Sequence, residues 1–206
     1  MLFIPSILEG GDKKQKDTYL ELGNACESNG EYQKAIQHYQ KALNIALERR
    51  DKWQEGQASL GLGYAYVNIG QYQKAIQHYQ KALNIALDRK DKLQEGKSYR
   101  GLGSAYVNIG QYQTSIEHYQ KALSIALERR DKCQEGKAYL GLGCAYVNIG
   151  QYQTSIEHYR KALNIAQDRK DKLQERQAYR GLGDVYQKVK DLPLKREEKC
   201  KKETCS

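Results

Sequence analysis

Histidine and cysteine are the residues of this chain that could ligate a metal ion or supply a nucleophile. The four histidines recur at intervals of forty residues, as His38, His78, His118 and His158. A zinc site requires ligand nitrogens about 2.0–2.1 Å from one ion. Side chains at equivalent positions of successive packed helices do not converge in this way, because such helices lie about 8–10 Å apart. The histidine series is therefore interpreted as a surface or packing column.

The cysteines form no C-x-x-C pair and are odd in number: Cys26, Cys133, Cys144, Cys200 and Cys205. This usage is typical of reduced thiols in a cytoplasmic protein. No nucleophile has a histidine and an acid at a known motif spacing, and no phosphate-binding loop is present. The sequence thus predicts neither an enzyme nor a cofactor. No apolar stretch reaches transmembrane length, so membrane insertion is not expected.

The elements that position these residues are internal repeats of forty residues. The segments 52–91, 92–131 and 132–171 are nearly identical, residues 12–51 form a looser first copy, and residues 172–190 form half of a fifth. A period of this length indicates a helical array in which each unit packs only on its neighbours.

Each copy has the pattern of a helical hairpin. Leu62, Ala65 and Tyr66 begin a helical spacing that Gly70 interrupts and that resumes afterwards. Gly70 stands where a helix C-terminus requires a left-handed residue. Asp51 precedes the copy as a helix N-cap, with glutamine at the third helical position. Trp53 lies at the start of this helix and is predicted to be a core residue.

The same residues resemble the tetratricopeptide repeat. The second copy supplies its pattern of eight recurring residues, Leu62, Gly63, Tyr66, Gly70, Tyr72, Ala75, Tyr79 and Ala82. The resemblance implies an all-α fold, a right-handed α-solenoid of tandem helix hairpins. The forty-residue period is similar to that of the LGN/Pins G-protein-signalling modulators and of tetratricopeptide repeat protein 28-like proteins, which join such repeats to a CHAT domain.

The resulting domain organisation has seven segments. We expect an N-terminal cap or linker at 1–16, four repeats at 17–51, 52–91, 92–131 and 132–171, a capping helix at 172–190 and a disordered basic tail at 191–206.

The resemblance also implies that the first helix of each repeat lines a concave surface. Asparagine side chains there can bond to the N–H and C=O groups of an extended peptide, and arginine can hold carboxylates bidentately. The residues predicted to bind a peptide are Asn24, Asn68, Lys97, Arg100, Asn108, Lys137, Asn148 and Arg180. Gly63 is expected to face the second helix, whereas Gly61, Gly101, Gly141 and Gly181 are expected to form an open floor.

The net charge of +9 favours an acidic partner. The predicted function is therefore that of a protein–protein interaction scaffold that binds an extended, acidic peptide segment, and self-association is compatible with such a surface. One alternative is an LGN/Pins-like adaptor in G-protein signalling and spindle orientation. Another is an RNA-binding helical repeat, although nucleic acid is not the expected partner because the inner columns carry no code-like residue pair.

Overall fold

Every forty-residue copy folds as two α-helices joined by a tight turn. A computed structural model describes the backbone of residues 8–203 and the side chains of residues 18–191. Over this range the structure contains α-helices and no strand, in agreement with the predicted all-α class. The helices are α1 (Leu8–Ser28), α2 (Tyr32–Glu48), α3 (Lys52–Asn68), α4 (Tyr72–Asp88), α5 (Lys92–Asn108), α6 (Tyr112–Glu128), α7 (Lys132–Asn148), α8 (Tyr152–Asp168) and α9 (Lys172–Glu203).

The turn within each hairpin is made by glycine, as predicted. Gly70 has a φ of 76°, and the N–H of Gln71 donates to the carbonyl oxygen of Tyr66 at 2.9 Å. This is the hydrogen bond of a Schellman motif, which requires a left-handed residue that glycine adopts without a Cβ penalty.

The turn between hairpins uses the same geometry with a basic residue. Arg50, Lys90, Arg130 and Lys170 have φ values between 53° and 57°. The N–H of Asp91 donates to the carbonyl oxygen of Ala86 at 2.8 Å, which closes the turn that contains Lys90. Asp91 then caps α5 by accepting from the N–H of Gln94 at 3.0 Å. The predicted aspartate caps are confirmed, whereas the left-handed basic residues were not anticipated.

The chain forms two compact units, residues 1–111 and residues 112–206. In unit 1, which contains α1 to α5, each helix packs on the next. One buried cluster there consists of small and branched side chains around the ring of Tyr39, namely Ala35, Leu43, Ala58 and Leu62. In unit 2, α6 to α9 pack in series in the same way, and Val147, Ile156, Tyr159 and Val185 form a buried cluster.

Three expectations differ from the structure. Helix α1 begins at Leu8, within the predicted linker 1–16, whose first seven residues lie outside the described residues. Helix α9 continues to Glu203, where a disordered tail was expected from 191. The tail is rich in lysine, arginine and glutamate, which have high helix propensity. Trp53 is 42% exposed rather than part of the core, because the first turn of α3 buries Gln54 and Glu55 instead.

Candidate functional site

The first helices of successive hairpins pack against one another within each unit. In unit 1, α1 contacts α3 and α3 contacts α5, and in unit 2, α7 contacts α9. Over the described range, the second helices α2 and α4 do not contact each other, nor do α6 and α8. The first helices therefore lie on the inner side of each stack.

Tyrosine rings fill the space between neighbouring first helices. A Cβ atom added to Gly23 or to Gly61 would lie 2.5 Å from a ring carbon of Tyr39. The same arrangement recurs with Gly63 and Gly101 around Tyr79 and with Gly143 and Gly181 around Tyr159. Gly63 faces the second helix, as predicted. The open floor expected at Gly61 and its equivalents is wrong, because tyrosine rings cover these glycines and packing alone accounts for them.

The hydroxyl group of Tyr39 reaches the polar residues of α1. It lies 2.7 Å from Oδ1 of Asn24 and 2.8 Å from Oε2 of Glu27, and donates to one of these acceptors at a time. Burial, followed by the hydrogen bond to Glu27, raises the pKa of Tyr39 far above its usual value. The hydroxyl therefore stays protonated and can donate a hydrogen bond to either Asn24 or Glu27, which positions both side chains.

Glu27 is a carboxyl group with an altered affinity for protons. Burial raises its pKa, while the hydrogen bond from Tyr39 and the positive charge of Arg100 oppose this shift. Arg100 belongs to α5 and Glu27 to α1, so packing of the first helices brings them together. Protonation of Glu27 thus occurs more readily than that of an exposed glutamate.

Tyr64 and Arg100 complete this group from α3 and α5. Burial raises the pKa of Tyr64, the charge of Glu27 adds to the shift and the charge of Arg100 opposes it. Nε of Arg100 is buried and has no hydrogen-bond partner within the part of the chain that the structure describes. We refer to Asn24, Glu27, Tyr39, Tyr64 and Arg100 as the inner polar cluster.

The predicted asparagine row forms hydrogen bonds within its own helices. Nδ2 of Asn68 donates to the carbonyl oxygen of Tyr64 at 2.9 Å. Asn108 and Asn148 make the equivalent bonds at 2.8 Å. Each of these bonds runs from an asparagine side chain to the carbonyl group four residues earlier in the same helix. The amide oxygen of each exposed side chain remains available to a ligand, whereas the Asn68 amide also bonds to the Tyr64 side chain and Nδ2 of Asn148 also lies 3.8 Å from Sγ of Cys144.

The remaining predicted residues are distributed over both units. Unit 1 contains Asn24, Asn68, Lys97, Arg100 and Asn108, of which Asn24 and Arg100 join the inner polar cluster. In unit 2, Lys137 is half-buried, whereas Asn148 and Arg180 are exposed.

Unit 2 has a different group at the position of Tyr64. Burial raises the pKa of the Cys144 thiol, the charge of Lys188 opposes the shift and that of Asp184 adds to it. A thiol with a raised pKa is mostly protonated and is a poor nucleophile. Cys144 is therefore not activated for catalysis by these neighbours.

The histidines pack against tyrosine rings, which is one of the two alternatives that the sequence left open. His78 stacks on Tyr66 with ring centroids 5.3 Å apart, and His158 stacks on Tyr146 at 5.2 Å. Burial lowers the pKa of His78 and His158. Among the residues described, no group of three or more histidine, cysteine, aspartate or glutamate side chains could hold a metal ion.

Comparison with known families agrees with this arrangement. The sequence model of the tetratricopeptide repeat matches residues 15–88, 54–128 and 134–193. The chain belongs to the tetratricopeptide repeat family. The narrower resemblance to the LGN/Pins and tetratricopeptide repeat protein 28-like types remains a prediction. No protein of curated function matches the sequence significantly.

Solved structures share the fold at low sequence identity. A putative kinesin light chain of Podosopora anserina with nearly identical TPR-like repeats is 20% identical, with 89% of this chain and 90% of that chain covered and a TM-score of 0.68. BtubC from P. vanneervenii is 21% identical, with 82% and 71% covered and a TM-score of 0.69. A Rap protein in complex with competence and sporulation factor is 17% identical, with 95% and 53% covered and a TM-score of 0.79. The tetratricopeptide repeat chain therefore has an all-α solenoid fold. It spans about half the length of that Rap protein.

Two groups of the inner polar cluster were not identified from the sequence of this repeat protein. Tyr39 was assigned to packing alone, although its hydroxyl group reaches the polar face. Glu27 was overlooked, although the other copies have Val67, Val107 and Val147 at its position. The difference between Glu27 and the valines of the following three copies was the available signal. Over the described residues, no helix is both long and apolar enough to cross a bilayer.

Proposed function

We propose that this chain is a protein-interaction scaffold that binds an extended, acidic peptide segment along the inner side of its first helices. Tetratricopeptide repeat proteins are generally non-enzymatic scaffolds, and the chain belongs to that family. The observation that carries the proposal is the inner polar cluster, in which three first helices of unit 1 place a half-buried arginine beside hydrogen-bonding side chains.

Arg100 is the proposed primary contact for a carboxylate of the ligand. Its Nε is buried and forms no hydrogen bond over the described range. A guanidinium group binds a carboxylate through two parallel N–H donors, and because the buried Nε is out of a ligand's reach, these are the two terminal nitrogens. Partial burial weakens solvent screening and strengthens this attraction.

Glu27 determines how the cluster responds to an acidic ligand. A second carboxylate near Glu27 would repel its negative charge and raise its pKa further. Because burial already raises the pKa of Glu27, the side chain can take up a proton when the ligand binds. The protonated carboxyl group would then donate a hydrogen bond rather than repel the ligand.

The neighbouring asparagines are proposed to bind the peptide backbone. Asn68 and Asn108 are exposed and each has one amide hydrogen committed to its own helix. The remaining amide groups can pair with an extended chain, and Lys97 on α5 adds a positive charge. The Rap protein that shares this fold was solved in complex with competence and sporulation factor, which supports a ligand-binding role for such a stack. Unit 2 would contribute Lys137, Asn148 and Arg180 to the same type of contact. We also propose that the protein is located in the cytoplasm.

The proposal is tested by selecting binders from a displayed library of short random peptides on the intact chain. We expect enrichment of aspartate and glutamate. The Arg100→Gln variant should bind the selected peptides about tenfold more weakly, as for the loss of a charged hydrogen bond.

Arg89→Gln is the matched control, because it removes the same charge from the exposed C-terminal end of α4. This control should bind the peptides like the original chain. Selected peptides that lack acidic residues, or that bind Arg100→Gln as well as the original chain, would overturn the proposal.

A further inference from the structure

Helix α9 packs on α8, but among the described residues no second helix follows α9 to cover its other side. In the preceding copies, the first helix ends at a glycine turn and the second helix folds back onto it. Lys190 stands at the position of Gly150, and α9 continues without a turn to Glu203. Within the described part of unit 2, the side of α9 that would receive a second helix is therefore uncovered.

Gly183 marks the centre of this open side. Its equivalents Gly23, Gly63 and Gly143 each lie against the tyrosine ring of their own second helix. A Cβ atom added to Gly183 would meet no atom within 4 Å over the described residues. The socket that receives a tyrosine in the other copies is thus present and unfilled.

The contact between α7 and α8 shows what covers the equivalent side. His158 of α8 lies over two rings of α7, at 5.2 Å from Tyr146 and 5.7 Å from Tyr139. Nζ of Lys161 lies 5.5 Å from the centre of the Tyr139 ring. Tyr159 fills the socket at Gly143. The covering helix therefore presents the sequence His-Tyr-x-Lys.

Helix α9 has the same tyrosines at the equivalent positions. Tyr179 and Tyr186 are 53% and 48% exposed, whereas Tyr139 and Tyr146 are half-buried. The Tyr179 hydroxyl accepts a hydrogen bond from Gln167, and the Tyr186 hydroxyl accepts one from Arg160, both at 3.3 Å. These bonds from α8 hold the hydroxyl ends in place. We refer to Tyr179, Gly183 and Tyr186 as the α9 docking face.

We propose that the α9 docking face binds an amphipathic helix of a partner protein that carries a His-Tyr-x-Lys segment. The tyrosine enters the socket at Gly183, and the histidine stacks on Tyr186. The lysine lies over Tyr179. This surface is separate from the inner polar cluster, and the inference does not depend on the proposed function.

A second copy of this chain is a poor candidate for the docked helix. Its own second helices bury the required tyrosines, since Tyr39 and Tyr159 are 1% and 7% exposed. Its first helix has Glu21 at the position of Gly61, where even a Cβ atom would overlap a tyrosine ring. Its second helices therefore cannot supply a tyrosine without local unfolding, and its α1 cannot receive one.

The test uses a fluorescently labelled peptide with the sequence of residues 152–168, which contains the His-Tyr-x-Lys segment of α8. We expect saturable binding to the full chain in fluorescence anisotropy. Replacement of Tyr159 by alanine in the peptide should weaken binding about thirtyfold, as for a buried aromatic anchor. A peptide with Gln153→Ala, at an exposed position of α8, should bind unchanged.

The Gly183→Leu variant of the chain should lose binding, because leucine fills the socket. Gln177→Leu, at an exposed position of the same helix, is the control and should bind normally. Circular dichroism would establish that both variants keep their helical content. Absence of binding, or equal binding by Gly183→Leu, would overturn the proposal. Dimerisation of the chain that Gly183→Leu abolishes would overturn it too, because the occupant would then be a second copy.

Discussion

The ring of Tyr39 covers Gly61, so that two first helices of unit 1 are held apart by one aromatic side chain. A Cβ atom at Gly61 would lie 2.5 Å from Cζ of this ring. Gly61 thus sets the spacing between the hairpins, and the same contact places the Tyr39 hydroxyl in the inner polar cluster.

Replacing Gly61 by alanine should destabilise the chain. Alanine is favoured over glycine in a helix by about 1 kcal/mol. Overpacking against a fixed ring costs about 1–3 kcal/mol and should exceed that gain. The midpoint of urea unfolding, followed by circular dichroism, should therefore fall.

Gly183→Ala is the matched control for this substitution. Nothing lies within 4 Å of the new methyl group among the described residues. The full gain in helix propensity should therefore raise the midpoint of urea unfolding. A higher midpoint for Gly61→Ala than for the original chain would show that Tyr39 yields to the added atom.

The left-handed basic residues provide a second prediction. Lys90 has a φ of 55°, which costs about 1–2 kcal/mol for a residue with a Cβ atom. Glycine removes this cost and loses up to about 1 kcal/mol through its more flexible unfolded state. We expect Lys90→Gly to increase the free energy of unfolding by about 0.5–1 kcal/mol.

Arg89 is the control for this position, because it precedes Lys90 and has a right-handed φ of −86°. Glycine at Arg89 gains nothing from strain relief and should lower the free energy of unfolding. Urea unfolding of the two variants would measure the difference. Equal effects of both substitutions would mean that the left-handed backbone at Lys90 carries no measurable strain.

Local signals in the sequence predicted the hairpins well. Gly70 and Asp51 determine where helices end and begin through their own backbone and side chain, and both were identified. Lys90 was not identified as a left-handed residue, because lysine, unlike glycine, does not signal this conformation, although the same type of local hydrogen bond closes its turn, from Asp91 to Ala86. The side-chain environment of Trp53 likewise depends on packing and was predicted wrongly.

The inner polar cluster was harder to predict than the hairpins. Arg100 was selected from its position in the repeat, whereas its proximity to Glu27 depends on how α1, α3 and α5 pack. The hydroxyl of Tyr39 is separated from Asn24 by fifteen residues, and no periodic pattern distinguishes a tyrosine that only packs from one that also donates a hydrogen bond. Such non-local contacts decide which inner residues form a cluster.

The inner polar cluster gives a third prediction, on the pKa of Glu27. The hydrogen bond from Tyr39 and the charge of Arg100 both lower this pKa against the effect of burial. Tyr39→Phe keeps the ring between Gly23 and Gly61 and removes only the hydroxyl. The pKa of Glu27, measured by NMR titration of its side-chain carboxyl carbon, should therefore rise.

Arg100→Gln should raise the same pKa by removing a stabilising charge, and Arg89→Gln should leave it unchanged. If neither Tyr39→Phe nor Arg100→Gln moved the titration of Glu27, the cluster would not exist in solution as described.

The histidine column predicts a loss of stability at mildly acidic pH. Burial, followed by nearby lysines, lowers the pKa of His78, His118 and His158 in the folded chain. The unfolded chain, with histidine pKa values near 6.5, therefore binds more protons as the pH falls below that value. The free energy of unfolding should decrease as the pH falls through about 6.5, and the decrease should end once the pH is below the lowered pKa values of the folded chain.

His158→Phe tests this linkage because it keeps a ring against Tyr146 and Tyr139 while removing the titration. Lys161 and Glu157 remain near the ring, so their charges are the same in both proteins. Urea midpoints would be compared at about pH 7.5 and about pH 5.5, a range that spans the histidine transition and lies above that of ordinary carboxylates. The variant should lose less stability over this range than the original chain. An equal loss in both would assign the pH dependence to other groups and would mean that His158 is not desolvated by its stacking on α7.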